Sequence, residues 1–202
     1  MTDKKDRAKK KAIVLDLDHT LICSEDEFDQ DKEGELMKSL TSKDMDGYYM
    51  VFERPGLQKF LDYIFANFNV SVWTAASKDY ALFIIEHMVI AGKKNRKLDW
   101  IFFSYHCDIS QNLMGGTKDL RMIYEEYGIP GYSSDNTVII DDYDEVFDTQ
   151  PGQCIRAPAW EVMEEGSKDD DFLVRVIPEL KKMKRAKSSS PATAVNSAIG
   201  SS

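Results

Sequence analysis

A chain of 202 residues, 43% hydrophobic and 30% charged, has room for one globular domain with short tails and the composition of a protein that buries a core, which excludes a disordered or collagen-like chain. Its 26 basic and 35 acidic residues give a net charge of −9; residues 1–11 carry +4 and residues 181–187 carry +5, which leaves −18 on the body. An acidic body argues against general nucleic-acid binding, which needs a basic footprint to displace counterions, and the absence of any run of 18 apolar residues argues against a membrane-spanning helix.

In chain order, MTDKKDRAKKK lacks the apolar stretch of a secretory signal, so the expectation is a basic arm over 1–11 on an intracellular protein, cytoplasmic or nuclear. AIVLDLD (12–18) reads as a buried strand ending in two aspartates. SEDEFDQDKEG (24–34), with six acids and one lysine, reads as a loop, and GYYMVFE (47–53) as a second strand closed by Arg54-Pro55-Gly56. Leu57, Phe60, Leu61, Ile64 and Phe65 then share one helical face, and VSVWT (70–74) is a third strand. Asn69-Val70-Ser71 has the pattern of a glycosylation acceptor, but it lies in that strand and reads as accidental. Ser77 is placed to cap a helix over 78–92 that ends near Gly92.

WIFFSYHCDISQNLMGG (100–116) predicts a strand or hairpin, and Thr117 a cap for a helix over 118–128. TVIID (137–141) is another buried strand ending in paired aspartates, QCIRA (153–157) a further one, and 172–184 an amphipathic helix. The domain is therefore expected over 12–185, with 186–202 a disordered low-complexity tail. Strands alternating with helices predict a parallel α/β sheet. Cys23, Cys107 and Cys154 are widely spaced, with no CxxC, and read as reduced, packed thiols.

In a parallel sheet the carboxyl ends of the strands gather at one edge, the usual place for a ligand crevice. Asp16 and Asp18, Thr74, and Asp141 and Asp142 all stand at such ends, and Lys118 can reach the same edge. Carboxylates without histidine favour a hard cation such as Mg²⁺, and the lysine and hydroxyl favour an anion beside it, so phosphate on magnesium fits the set.

Asp16-Leu17-Asp18-His19-Thr20 matches a DxDxT motif, and with Thr74, Lys118 and Asp141-Asp142 in that order the chain resembles the haloacid dehalogenase phosphatase superfamily. More narrowly, LDLDHTLI, Arg54-Pro55-Gly56, VWTAASKDYA, Lys118-Asp119-Leu120 and VIIDD resemble the small phosphatases related to those acting on the RNA polymerase II carboxy-terminal domain. The resemblance implies a Rossmann-like sheet of the haloacid dehalogenase type, capless, with a small β-hairpin insert. It also implies a Mg²⁺-dependent phosphoserine/phosphothreonine phosphatase acting through an aspartyl-phosphate. Asp16 is then the nucleophile and Asp18 the general acid and base. Thr74, the Ala75 and Ala76 amides and Lys118 bind phosphate; Asp16, Asp18 and Asp142 hold the metal, and Asp141 supports Lys118. His19 occupies a variable position of the motif, His87 reads as packed, and His106-Cys107-Asp108 has no partner pair at ligand spacing.

Inserts on either side of the second motif are too short for a covering domain, which predicts an open crevice suited to a phosphorylated side chain on a protein or peptide. Trp100, Phe102, Phe103 and Tyr105 read as core, with substrate contact as the alternative. Three readings stand at this stage: a phosphoprotein phosphatase, a small-molecule phosphatase of the same chemistry, and a binding module that retains the fold. The intact aspartates of the first motif favour the first two, and the oligomeric state is open.

Overall fold

The aliphatic run at 12–15 forms β1 (Ala12–Leu15), with all four side chains buried. In the computed structural model, which describes residues 10–26, 30–186 and 190–200, β1 is the middle of a five-stranded parallel sheet. The other strands are β5 (Asn69–Trp73), β6 (Ile101–Phe102), β7 (Thr137–Asp141) and β8 (Cys154–Arg156), in the order β6-β5-β1-β7-β8. Successive strand residues face opposite sides, so the unbroken apolar runs feed two cores. Ile13, Leu15, Val70, Val72, Val138 and Ile140 enter one, against α2 (Leu57–Asn67) and α6 (Phe172–Arg185). Val14, Trp73, Ile139 and Cys154 enter the other, with Leu120, Met122 and Ile123. Burial of each large side chain contributes about 1.5–3 kcal/mol, which makes β1, covered on both faces, the hardest element to displace.

A second, antiparallel sheet is inserted after the first motif, with β2 (Ile22–Glu25), β3 (Ser42–Met45) and β4 (Tyr49–Glu53) in the order β2-β4-β3. Asp46 (φ 51°) and Gly47 (φ 78°) turn the β3–β4 hairpin, and the Asp44 carboxylate accepts the Gly47 N–H at 2.7 Å. The small insert expected from sequence is present, but at 22–53 and not before Lys118. The expected loop at 24–34 contributes to β2 and to α1 (Gln30–Ser39), with residues 27–29 outside the described set. Leu36 and Leu40 pack on a third core of Cys23, Phe52, Trp160 and Val162, which is what draws this polar segment into a helix.

The predicted helix at 78–92 is α3 (Lys78–Ile84), continued by a π-helical turn over Ile85–Ile90; Ser77 stands at its N-cap without a side-chain cap bond. At 100–116, only Ile101–Phe102 is strand; the rest is α4 (Ser104–Met114). His106 Nδ1 accepts the Phe103 N–H at 3.0 Å, Cys107 and Ser110 lie on the buried face, and Gly115 (φ 81°) ends the helix. Local capping and a helical burial stripe therefore outweigh the aromatic β-propensity. Phe102 is buried in the second core, Trp100 packs beside it, Phe103 packs on the first core, and Tyr105 is exposed.

The segment after Lys118 starts its helix late: Lys118 is left-handed (φ 50°), and only the π-helical turn Met122–Glu126 follows. Between β7 and β8 runs α5 (Asp144–Thr149). The tail expected to be disordered instead carries α7 (Thr193–Ile199), with Ala192 and Val195 buried. Asn196 explains its place: its side-chain amide donates to the Cys154 carbonyl at 2.8 Å, and its oxygen accepts the Arg156 N–H at 3.1 Å, so it pairs the open edge of β8. Among the described residues no helix is long and apolar enough to cross a membrane, and all three cysteines are buried and free.

Asn196→Ala removes both edge hydrogen bonds and is expected to cost about 1–3 kcal/mol. A lowered urea midpoint at unchanged slope checks this; an unchanged midpoint would mean that α7 contributes nothing to the fold.

Candidate active site

Strand register brings the chemistry-bearing residues to one edge. Leu15 pairs with both Val72 and Ile140, so the next positions along the three strands, Asp16, Trp73-Thr74 and Asp141, emerge together at the carboxyl end of the sheet. The Asp16 N–H extends the ladder to the Ile140 carbonyl at 3.0 Å. Asp16, Asp141, Thr74 and Lys118 are all buried.

Lys118 Nζ lies 2.5 Å from Asp16 Oδ1 and 2.8 Å from Asp141 Oδ2. Asp142 adds a third carboxylate: one oxygen each from Asp16, Asp141 and Asp142 lie within 4.8 Å of one another. Burial, and then the Asp141 and Asp142 charges, push the Asp16 carboxyl well above its usual range, although Lys118 pulls it down. Burial alone would lower the Lys118 ammonium, yet the two aspartates outweigh it and hold Lys118 charged. Three carboxylates against one ammonium leave an excess of negative charge that a divalent cation would cancel, and an all-oxygen donor set is the kind Mg²⁺ takes.

Lys118 reaches this position because its backbone is held from both sides. Gln150 donates from Nε2 to the Lys118 carbonyl at 2.8 Å and accepts the Leu120 N–H at 3.0 Å. Ser110 Oγ donates to the Gly116 carbonyl at 2.6 Å and accepts the Asp119 N–H at 2.9 Å. Neither residue belongs to a motif, and nothing in the local sequence distinguishes them.

Asp18, half-buried, stands apart from the cluster with its Oδ1 accepting the Tyr80 hydroxyl at 2.5 Å; Tyr80 also contacts Ser24 Oγ. Burial raises the Asp18 carboxyl, and the Tyr80 hydrogen bond partly offsets this. Tyr80 lies in the segment after Thr74, and sequence reading assigned it no role. Thr20, the last residue of the DxDxT run, is buried and donates to Asp142 Oδ1 at 3.0 Å, holding the fourth motif against the first. Thr74 stands at the end of β5, and its Oγ1 accepts the Ala76 N–H at 3.0 Å, so that amide is engaged within the turn while Ala75 is exposed at the edge. Arg54 is buried and joins the first-motif turn to the segment after β8. It forms a two-pronged pair with Asp170, both contacts 2.8 Å, and donates to the Thr20 and Pro158 carbonyls.

The family model of the NLI interacting factor-like phosphatase matches residues 11–190. The chain is 40% identical to the CTD phosphatase-like protein 355R of Invertebrate iridescent virus 6 over 172 residues, 82% of this chain and 94% of that protein. It is 39% identical to the protein of the same description from Invertebrate iridescent virus 3 over 184 residues, 87% of this chain and 98% of that protein. Among solved structures it is similar to that of Fcp1, an essential RNA polymerase II CTD phosphatase, with a TM-score of 0.55 and 17% identity over 94% of this chain and 58% of that one. The fission yeast RNA polymerase II CTD phosphatase Fcp1 bound to beryllium fluoride gives a TM-score of 0.55 and 19% identity over 89% and 54%. These two likenesses establish the α/β fold, and the chain spans little more than half the length of either structure.

Lys118→Met is expected to destabilise the protein by about 3–5 kcal/mol, because it strips the counter-charge from buried carboxylates. Chemical denaturation with and without Mg²⁺ checks this: the loss should be large without the ion and smaller with it, and equal losses would mean the ion does not bind among these carboxylates.

Proposed function

The chain belongs to the NLI interacting factor-like phosphatase family, and we propose that it is a Mg²⁺-dependent phosphoserine/phosphothreonine protein phosphatase that acts through an aspartyl-phosphate on Asp16. The observation that carries this reading is the buried contact of Lys118 with Asp16 and Asp141 at the carboxyl edge of the sheet. Asp16, the backbone carbonyl of Asp18 and the Asp142 carboxylate would hold Mg²⁺, which supplies the positive charge that lets a carboxylate approach an anionic phosphate.

An Asp16 oxygen attacks phosphorus, and the bond to the seryl or threonyl oxygen breaks. Asp18 donates its proton to that leaving oxygen; burial shifts its carboxyl upward, the direction a proton donor needs. The same carboxylate then takes a proton from the water that attacks the aspartyl-phosphate, releasing phosphate and restoring Asp16. Tyr80 fixes one Asp18 oxygen and leaves the other for this exchange. The Thr74 hydroxyl and the Ala75 amide receive phosphoryl oxygens, and Lys118 offsets charge as it builds up. Asp141, tied to Lys118 and to the Tyr143 N–H at 3.0 Å, orients the lysine.

The substrate reading, a phosphorylated side chain on a peptide of the RNA polymerase II carboxy-terminal-domain kind, draws on the relatives named as CTD phosphatase-like. It also draws on the insert. The Tyr49 ring meets Tyr80 edge-on at 5.6 Å, beside a cleft of about 290 Å³ lined by Glu25, Asp26, Asp44, Tyr48 and Tyr49. Such walls suit an extended peptide and favour cationic side chains.

Turnover of an aryl phosphate, with and without chelator, beside Asp16→Asn is the direct test. The variant is expected to be folded and inactive, and chelator should silence the wild type; activity in Asp16→Asn would remove the covalent mechanism. Asp18→Asn should be severely slowed and accumulate phosphate on Asp16 with an activated substrate, and mass spectrometry locating phosphate elsewhere would contradict the assignment.

A second prediction concerns flanking charge. Phosphopeptides with Lys or Arg beside the phosphoserine are expected to show higher kcat/KM than acidic ones, with the gap narrowing as salt shortens the Debye length below about 8 Å. Glu25→Gln with Asp26→Asn should shrink the preference. Equal turnover of basic and acidic peptides at low salt would rule out the acidic cleft as a source of specificity.

A further inference from the structure

His19 is the one titratable residue of the DxDxT run to which the proposed chemistry gives no task, and its conformation is unusual. Its backbone is left-handed (φ 58°), with its N–H donating to the Ile22 carbonyl and its carbonyl accepting the Trp160 N–H, both at 2.8 Å. Such a conformation in a residue other than glycine is strained and persists only where its surroundings impose it. The result is a ring with two environments. Although the side chain is 44% exposed, Nδ1 is shielded from solvent and has no hydrogen-bond partner. It lies 3.0 Å from Glu161 Oε1 without the alignment of a hydrogen bond, and the other Glu161 oxygen lies 3.7 Å from Cys23 Sγ. Donor atoms of His19, Cys23 and Glu161 all fall within 4.8 Å of one another.

We infer that His19, Cys23 and Glu161 form a site for one thiophilic divalent cation of the zinc class, separate from the carboxylate cluster. Tetrahedral zinc, with bonds of about 2.0 Å to nitrogen and oxygen and about 2.3 Å to sulfur, sets nitrogen and oxygen about 3.3 Å apart and sulfur and oxygen about 3.5 Å apart. The observed separations, 3.0 and 3.7 Å, run to different Glu161 oxygens, so binding through one of them requires the carboxylate to turn; the donor atoms of the three residues already lie within 4.8 Å of one another. Imidazole and thiolate select zinc-like ions, whereas Mg²⁺ takes oxygen donors, so the two sites sort their ions by chemistry.

His19 and Glu161 are half-exposed, so the site lies at the protein surface. Burial, and then the Glu161 and Glu25 carboxylates, raise the Cys23 thiol to about 12, so the ion replaces a proton on sulfur, which is released on binding. The ion would tie the turn that carries Asp18 to the segment around Trp160.

The test uses the full chain, freed of metal by chelator, then held in excess Mg²⁺ to occupy the carboxylate site and titrated with Co²⁺. A thiolate-to-cobalt charge-transfer band in the near ultraviolet is expected, saturating at a single ion per chain. Cys23→Ser should lose it, Glu161→Gln should weaken Co²⁺ binding, and Asp142→Asn should keep the band. Because Cys23 is buried and its variant can fail to fold, the half-exposed Glu161→Gln is the second, independent reading. No band in the wild type, a band intact in folded Cys23→Ser, loss of the band in Asp142→Asn, or unchanged Co²⁺ affinity in Glu161→Gln would each overturn the inference.

Discussion

The buried ammonium of Lys118, held between Asp16 and Asp141, is the interaction around which the carboxyl edge of the sheet is organised. Taking such an ion out of water costs several kcal/mol, and only close counter-charges return it. That requirement reaches far into the fold. β1 and β7 must be adjacent and in register to bring the two carboxylates to one height, and the chain at Lys118 must leave helical geometry to aim its side chain inward. Gln150, after α5, and Ser110, on α4, hold that departure in place. A segment with good helical propensity thereby gives up its first turn.

The excess of carboxylate over ammonium is the complementary fact. A cluster that is negative when empty favours a dication and, through it, a phosphate, so the same imbalance that costs stability supports the proposed chemistry. Asp18 is kept outside this balance. Its hydrogen-bond partner is a neutral hydroxyl, Tyr80, and the Lys118 charge reaches it only as a lesser, lowering influence.

The turn between Asp16 and β2 is anchored by parts distant in sequence. Arg54 binds the Thr20 carbonyl and Asp170, Trp160 binds the His19 carbonyl, and Thr20 binds Asp142. The antiparallel insert grows directly from this turn, and Tyr49 of β4 meets Tyr80, so the cleft proposed to take a substrate is mechanically continuous with the residue that would protonate its leaving group.

Strand ends were legible without a structure. A run such as AIVL followed by Asp, or TVII followed by Asp, states where a buried strand stops and what stands there, because side-chain burial and the polarity of the next residue are local properties. Three such ends, with Lys118 in order between the second and the third, were enough to gather Asp16, Thr74, Lys118 and Asp141 at one edge. The hairpin predicted at 100–116, the disordered tail predicted after 186 and the loop predicted at 24–34 came out otherwise. In each case a distant surface decided: the second core under Cys107, the open edge of β8 facing Asn196, and the Phe52–Trp160 core under Leu36. The partners Tyr80 and Gln150 were invisible for the same reason, since they lie 62 and 32 residues from Asp18 and Lys118. The sequence by itself determined the inventory and order of the reactive groups; the tertiary structure alone decided which neutral residues hold them, because a hydrogen bond between distant positions leaves no periodicity in the chain.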